Sequence, residues 1–244
     1  MVRVRFLVPP LTWSETRKSP FLTQGPGSVT LMDPELRHKN LVAFYFGTQV
    51  ALYPTSLAAI ESISHRAYRD LSRTLHGIGS HPEKDVLLGD THASLHRLLA
   101  DLEKIMTQEE FDALHHSWCK NRIEFFNQHP HPDRKSFTLT YGQAQKWINM
   151  ALKYLAVIEH SAVKSIYRYL HIPIDSIVYK EAARPDGLAV PRPPGSIAWS
   201  RLDRNQYESY QRELFDTIAR KHPDFSPLDW EAEAWVTRSS KTDN

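Results

Sequence analysis

The chain has 244 residues, of which 41% are hydrophobic, and its 6 tryptophans favour a packed globular core. Lys and Arg number 30 against 28 Asp and Glu, so a net charge of +2 gives no overall indication of nucleic-acid binding. No apolar stretch approaches the roughly 20 residues of a membrane-spanning helix, and the single Cys119 excludes an intramolecular disulfide or a cysteine zinc cluster.

The distribution of Pro and Gly divides the sequence into two regions. Residues 1–32 are rich in Pro, Gly, Ser and Thr, which predicts an extended arm laid over a domain. Pro9 and Pro10 interrupt the short apolar run near the start, so we expect no signal peptide and a cytoplasmic protein. Residues 33–244 predict one all-α domain, or two helical lobes with a cleft between them.

Helix-start signals recur along residues 33–244, whereas alternating strand patterns are scarce. The expected starts are Asp33, Ser56, Asp90 or Thr91, Thr107, Thr140, Val163, Asp203 and Ser226. The first helix is expected to end at Pro54 and to carry an apolar face with Leu41, Phe44, Tyr45 and Val50. The helix after Val163 is expected to run to Leu170. The predicted fold class is therefore mainly α, a compact multi-helix domain.

The helix after Thr140 is the best specified of these elements. Thr140-Tyr-Gly-Gln143 can form a capping box, in which each end side chain bonds to the other's backbone N–H. Lys146, Asn149 and Lys153 fall on one polar stripe of this helix, which is either a solvated face or part of a site. Gly142 has no Cβ, so either a phosphate or another backbone segment could approach the first turn closely.

A second informative segment is the turn His171-Ile-Pro-Ile-Asp175. Asp175 is an acid placed between isoleucines, and it has two explanations. It can cap a short helix that starts at Ser176. Alternatively, it is a carboxylate held in an apolar turn that faces the Lys146 stripe, where it could act as a general base or stabilise a developing cation.

These two segments together resemble the catalytic segment of helix-hairpin-helix DNA glycosylases. The shared pattern is a helix that opens with a glycine, carries a lysine, and is followed some thirty residues later by Pro-hydrophobic-Asp. The archaeal 8-oxoguanine glycosylase branch is the most similar, because its lysine helix has a second lysine seven residues on, as Lys146 and Lys153 do here. The resemblance covers residues 140–178, and the family's glycine-rich hairpin is reduced here to Leu139-Thr-Tyr-Gly142.

The resemblance implies a helix-hairpin-helix glycosylase-like fold and an enzyme that flips a damaged or modified base out of DNA and cleaves its N-glycosidic bond. Asp175 would be the catalytic carboxylate, and Lys146 the nucleophile or a DNA contact. The implied DNA-binding residues are Gly142, Gln143 and Lys153, and the candidates for the base pocket are Trp199 and Gln49. The expected partner is DNA, with no cofactor, no metal and no membrane, and the protein is expected to be a monomer.

Two other classes of function stay open. His92 and His96 have the i, i+4 spacing of paired metal ligands, and Asp90, His129, His131 and Asp133 could add to them in a metal-dependent hydrolase. Alternatively, the chain is a non-catalytic helical binding protein in which the Asp175 turn serves only capping and packing.

Overall fold

The computed structural model of the protein describes residues 32–134 and 137–239. Within these ranges the chain is mainly helical and forms no strand, which confirms the predicted fold class at the level of a mainly α domain. The helices are α1 Pro34–Phe46, α2 Thr48–Leu52, α3 Leu57–Leu71, α4 Lys84–Leu102, α5 Gln108–Asn127, α6 Tyr141–Val157, α7 Ser161–Lys164, α8 Ser176–Ala182, α9 Arg204–Lys221 and α10 Pro227–Ser239. The arm predicted for residues 1–32 lies outside the described residues except for Met32.

Helix α6 forms the centre of the molecule. It packs against α3, α5, α7 and α9, and most of its side chains are buried, including that of Trp147. A helix that is buried on nearly every side needs apolar residues around most of its circumference, and Ala144, Ile148, Ala151 and Leu155 supply them. The buried apolar side chains form one continuous cluster around this helix.

Several helix boundaries follow the predicted capping signals. Thr107 and Thr140 both form complete capping boxes, at the starts of α5 and α6. Asp203 does the same for α9, and Asp33 accepts hydrogen bonds from the first N–H groups of α1. These starts were predictable because a cap depends only on residues within one turn of the chain.

Three predicted boundaries are wrong. The single helix expected from Asp33 to Pro54 is divided at Gly47, whose φ of +96° is incompatible with a right-handed helix. Helix α4 begins at Lys84 rather than near Asp90, since Asp90 lies within the helix and pairs with Arg122. The helix expected from Val163 to Leu170 is instead the single turn α7, capped by His160, followed by a 3₁₀ turn.

The apolar face predicted for α1 differs from the structure as well. Leu41, Phe44 and Tyr45 are exposed, with 83% exposure for Phe44, and Val42 is the buried residue of this helix. Cys119, by contrast, is buried in the core on α5. In the ranges 32–134 and 137–239, no helix combines the length and apolar character that crossing a membrane requires.

Candidate active site

Lys146 and Asp175, which are 29 residues apart in the chain, meet in the interior. The Lys146 Nζ lies 2.8 Å from Oδ2 of Asp175, and the two side chains are 4% and 12% exposed. The other carboxylate oxygen, Oδ1, accepts from the backbone N–H groups of Ile177 and Val178 at 2.8 and 2.9 Å. Asp175 therefore caps α8 with one oxygen and contacts the lysine of the α6 stripe with the other.

The segment that carries Asp175 is held by two glutamines. Gln145 of α6 bonds to both the N–H and the C=O of Ile174, at 3.3 and 3.1 Å. Gln211 of α9 does the same for Ile172, at 3.3 and 2.5 Å. Pro173 has no N–H, and its carbonyl lies 3.4 Å from the ammonium group of the paired lysine. Every backbone polar group from 172 to 174 therefore has a partner, which fixes the position of the catalytic candidate that follows.

A second ion pair adjoins the first. Lys153, on the same stripe of α6, pairs with Glu231 of α10, and its ammonium lies 5.8 Å from the centre of the Trp235 ring. Glu231 is fully buried, and its Oε1 has no hydrogen-bond partner among the residues that the structure describes. Burial raises the pKa of Glu231, Lys153 and Lys146 act to lower it, and Asp175 acts to raise it. Four charged groups thus influence one another in a single buried cluster.

The stripe of α6 is therefore not a solvated face. Lys146 and Asn149 are buried, and the side chain of Lys153 is 17% exposed. A buried lysine is costly unless it is paired, so each lysine has an acid supplied by a distant part of the chain. We name the four residues Lys146, Lys153, Asp175 and Glu231 the charge cluster.

A second backbone segment lies close against Gly142. A Cβ at this position would lie 2.1 Å from the carbonyl oxygen of Trp199, and the Gly142 N–H donates to Leu202 O at 3.0 Å. Of the two alternatives for this glycine, the structure has another backbone segment rather than a free anion site. Trp199 is half-buried in the 3₁₀ turn Trp199–Arg201 that rests on this helix start.

The other predicted site residues are placed as follows. The Gln143 side chain accepts from the Thr140 N–H and donates to Thr74 O at 2.7 Å, so it joins the start of α6 to the segment of Thr74 instead of facing solvent. Gln49 is exposed and lines a separate cavity of about 520 Å³ between α1, α2, α3 and α4. The structure thus joins Lys146, Lys153 and Asp175, and it places Gln49 apart from them.

A buried polar network that the sequence reasoning missed lies beside the Asp175 segment. His171 Nε2 lies 2.8 Å from Asp112 Oδ1, and its Nδ1 lies 2.8 Å from the Tyr207 hydroxyl. The same hydroxyl accepts from Asn149 Nδ2 at 2.8 Å, and Asn149 Oδ1 is 3.0 Å from His115 Nε2. The Asp112 carboxylate can only accept, so His171 donates its Nε2–H to Asp112.

Burial sets the electrostatics of this network. It lowers the pKa of His115 well below the usual value, with the neighbouring His171 acting in the same direction. Burial also raises the pKa of Tyr207. At Asp112 burial acts to raise the pKa, but hydrogen bonds, chiefly from His171, outweigh it and hold the pKa below its usual value. Asp112 stands at the outer end of the network, where the network lines a cavity of about 470 Å³.

One sequence signal could have revealed this network. Polar residues recur at i, i+4 on faces that are otherwise apolar, as with Gln145 and Asn149 on α6 and Tyr207 and Gln211 on α9. Such pairs indicate buried polar contacts. Their long-range partners are 23 to 92 residues away, which spacing alone does not show.

Two histidines of the metal alternative contact serine side chains, and a third is exposed. His92 is buried, its Nδ1 lies 2.7 Å from Ser64 Oγ, and burial lowers its pKa to about 4. His96 is exposed, and His131 Nε2 lies 3.2 Å from Ser80 Oγ. Across residues 32–134 and 137–239, no group of three or more His, Cys, Asp or Glu residues is arranged to hold a metal ion.

The chain matches no protein-family model, no curated protein and no solved structure.

Proposed function

We propose that this protein is a DNA glycosylase with a helix-hairpin-helix glycosylase-like fold, which removes a damaged or modified base through the charge cluster. The observation that carries the proposal is the 2.8 Å contact between Lys146 Nζ and Asp175 Oδ2. The resemblance assigned catalytic roles to these two residues, and the fold brings them into direct contact in a buried setting.

Asp175 suits the role of the stabilising carboxylate. Cleavage of an N-glycosidic bond develops positive charge on the sugar, and a fixed carboxylate stabilises that charge most strongly where water is excluded. Two backbone N–H groups and Lys146 fix the Asp175 side chain, while Gln145 and Gln211 hold the backbone of the segment before it. The carboxylate therefore needs little reorganisation when the charge develops.

Lys146 suits the role of nucleophile better than that of a phosphate contact, because a side chain with 4% exposure does not reach a DNA backbone at the surface. Its ammonium must pass a proton to the departing base as it attacks, so that Asp175 stays ionised and its Oδ2 holds the lysine in place. The Nζ–C1′ bond then forms as the bond from C1′ to the base breaks. The base leaves with the electron pair and takes up the proton.

Glu231 offers a hydrogen-bond acceptor for the flipped base. Its Oε1 is a buried acceptor without a described partner, and burial raises its pKa. A base N–H that donated to this oxygen would satisfy it. The cluster reaches solvent at Asp175 and Lys153, so entry of a flipped base requires α10 to shift near the Lys153–Glu231 pair.

The test is a base-excision assay without added metal, on duplexes that each carry one oxidised, deaminated, alkylated or sugar-modified base. We expect abasic sites with one of these substrates and a loss of about 100- to 1,000-fold with Asp175→Asn. Asparagine keeps an acceptor for the α8 cap, so this variant removes the charge selectively. Borohydride should trap a covalent adduct with the wild type and none with Lys146→Gln.

Arg122→Gln is the matched control, because Arg122 forms another ion pair of the interior, with Asp90. It should retain excision activity if it remains folded by circular dichroism. Full activity of Asp175→Asn, or no abasic site with any duplex, would overturn the proposal. Loss of stability in the cluster variants without any excision by the wild type would favour the non-catalytic binding protein instead.

A further inference from the structure

The first turn of α6 gathers three chain segments into a groove, and each segment brings one arginine. The groove has a volume of about 720 Å³ and lies between residues 73–76, residues 133–134 with 138–140, and residues 198–201. Its charged side chains are Arg73, Arg134, Arg201 and Asp133. With His76 neutral, the groove carries a charge of +2, which equals the net charge of the whole chain.

Hydrogen bonds to α6 fix two of these segments. Gln143 Nε2 donates to Thr74 O at 2.7 Å, which ties the segment of Arg73 to the helix. Thr140 Oγ1 donates to Ser200 O at 2.6 Å, next to Arg201. The surface that presents these arginines is therefore built by the same capping residues that start the helix.

Gly77 positions the third arginine. Its φ is +102°, and a Cβ there would lie 2.8 Å from Cδ of Arg134. The Arg134 side chain therefore crosses the backbone at a point where only glycine leaves room. Glycine at this position satisfies two requirements, the left-handed turn and the passage of the arginine stem.

The three arginines are exposed, and none of them forms an ion pair with an acid of the described ranges. Arg122, Arg184 and Arg204, in contrast, are each paired with a carboxylate. Guanidinium groups bind phosphate oxygens through two parallel hydrogen bonds, so unpaired arginines around one groove fit a phosphate backbone. The N–H groups of Gly142 and Gln143 are already bonded, so the arginines carry this argument and the helix terminus does not.

We propose that the groove formed by Arg73, Arg134 and Arg201 binds the phosphate backbone of DNA. The inference rests on the proposed function for the choice of DNA and adds the surface that holds it. It also explains how the chain can grip a backbone although Leu139-Thr-Tyr-Gly142 lacks the glycine-rich hairpin. Side chains from three segments take over that task.

The test measures binding of a fluorescent duplex without a modified base, by anisotropy at several salt concentrations. The variant is the triple substitution Arg73→Gln, Arg134→Gln and Arg201→Gln. If each arginine neutralises one phosphate, the slope of log K against log salt should become shallower by about 2.7, because each B-DNA contact contributes about 0.9. Affinity at low salt should fall at least about 10-fold.

The matched control is the triple substitution Arg37→Gln, Arg168→Gln and Arg220→Gln, which removes the same charge from exposed arginines outside the groove. It should retain most of the affinity and of the salt slope. Equal losses in both triple variants, no loss in the groove variant, or no binding by the wild type would overturn the inference.

The outcome is separable from that of the proposed function. A protein that binds through the groove and excises no base keeps this inference and loses the glycosylase assignment. A protein that excises a base with unchanged DNA affinity in the groove variant keeps the enzyme and loses the groove. Melting curves of both triple variants check that they are folded.

Discussion

The two lysines of the α6 stripe differ in how completely their partners are satisfied. Asp175, the partner of Lys146, uses one oxygen for the lysine and the other for two backbone N–H groups. Glu231, the partner of Lys153, uses one oxygen for the lysine and has no described partner for the other. In the first pair both carboxylate oxygens have hydrogen-bond partners, whereas in the second pair one oxygen can accept a further hydrogen bond.

This difference indicates that Asp175 and Glu231 have different roles within the charge cluster. A fully bonded carboxylate holds its geometry and suits a group that must face a developing charge. A buried oxygen without a partner carries an energetic cost, and such a group needs an explanation, for example an incoming ligand donor. The completeness of the two pairs can be tested by removing each in turn.

The largest effect on stability is expected for Lys146→Met. It leaves Asp175 ionised and buried without its partner, and removal of one member of a buried pair costs about 3–5 kcal/mol. Urea unfolding at neutral pH measures this change. Lys153→Met should cost less, because Lys153 is 17% exposed and the pKa of Glu231 is already raised, so that acid takes up a proton more easily.

A double-mutant cycle sharpens the result. Asp175→Asn should recover much of the stability that Lys146→Met loses, since the remaining partner is then neutral and still caps α8. If Lys153→Met costs more stability than Lys146→Met, or if the double variant shows no recovery, the proposed difference between the fully bonded Asp175 pair and the partly bonded Glu231 pair is wrong.

A smaller effect is expected for Gln145→Leu. The variant removes the partner of both backbone groups of Ile174, and each buried group left unpaired costs about 1–3 kcal/mol. We expect a total loss of about 2–3 kcal/mol, because the local backbone can shift to recover part of the bonding. Thermal or urea unfolding detects a change of this size.

Gln128→Leu provides the comparison for this substitution. Gln128 is exposed at the end of α5, so its replacement should change the free energy of unfolding by less than about 0.5 kcal/mol. Equal values for the two glutamine variants would show that the Gln145 amide does not hold the Asp175 segment.

The sequence predicted the parts of this arrangement that depend on nearby residues. The Thr140 capping box, the cap at Asp175 and the common face of Lys146 and Lys153 are all set within one or two helical turns. The contact between Lys146 and Asp175 agrees with one of the two explanations offered for the Asp175 turn and with the resemblance, whereas spacing alone does not contain this long-range relation.

The remaining features depend on the packing of distant segments. Glu231 is 78 residues from Lys153, and α10 offered only tryptophans as a signal. The groove arginines come from three separate segments, of which Gln143 and Thr140 hold two and Gly77 leaves room for the third. At Gly47 a local feature was missed. The apolar pattern predicted one continuous helix, but the positive φ of this glycine divides it.

The smallest effect is expected for Glu231→Gln. The amide oxygen can still accept from Lys153, and the 17% exposed side chain of that lysine keeps its ammonium in reach of solvent, so stability at neutral pH should change by less than about 1 kcal/mol. The pH dependence is more diagnostic. Because the pKa of Glu231 is raised on folding, the folded state binds its proton more tightly than the unfolded chain does. Its contribution is present at low pH and is lost as the pH rises above the ordinary value of 4.5.

The stability of Glu231→Gln relative to wild type should therefore improve as the pH increases from about 4 to 7, measured by urea unfolding at each pH. Glu233→Gln on the exposed side of α10 serves as the control, and its difference from wild type should stay constant. A difference for Glu231→Gln that worsens with rising pH would mean that the ionised carboxylate is well satisfied in the folded protein. In that case the two lysine pairs of α6 would be equivalent, and the free oxygen of Glu231 could not be assigned to an incoming base.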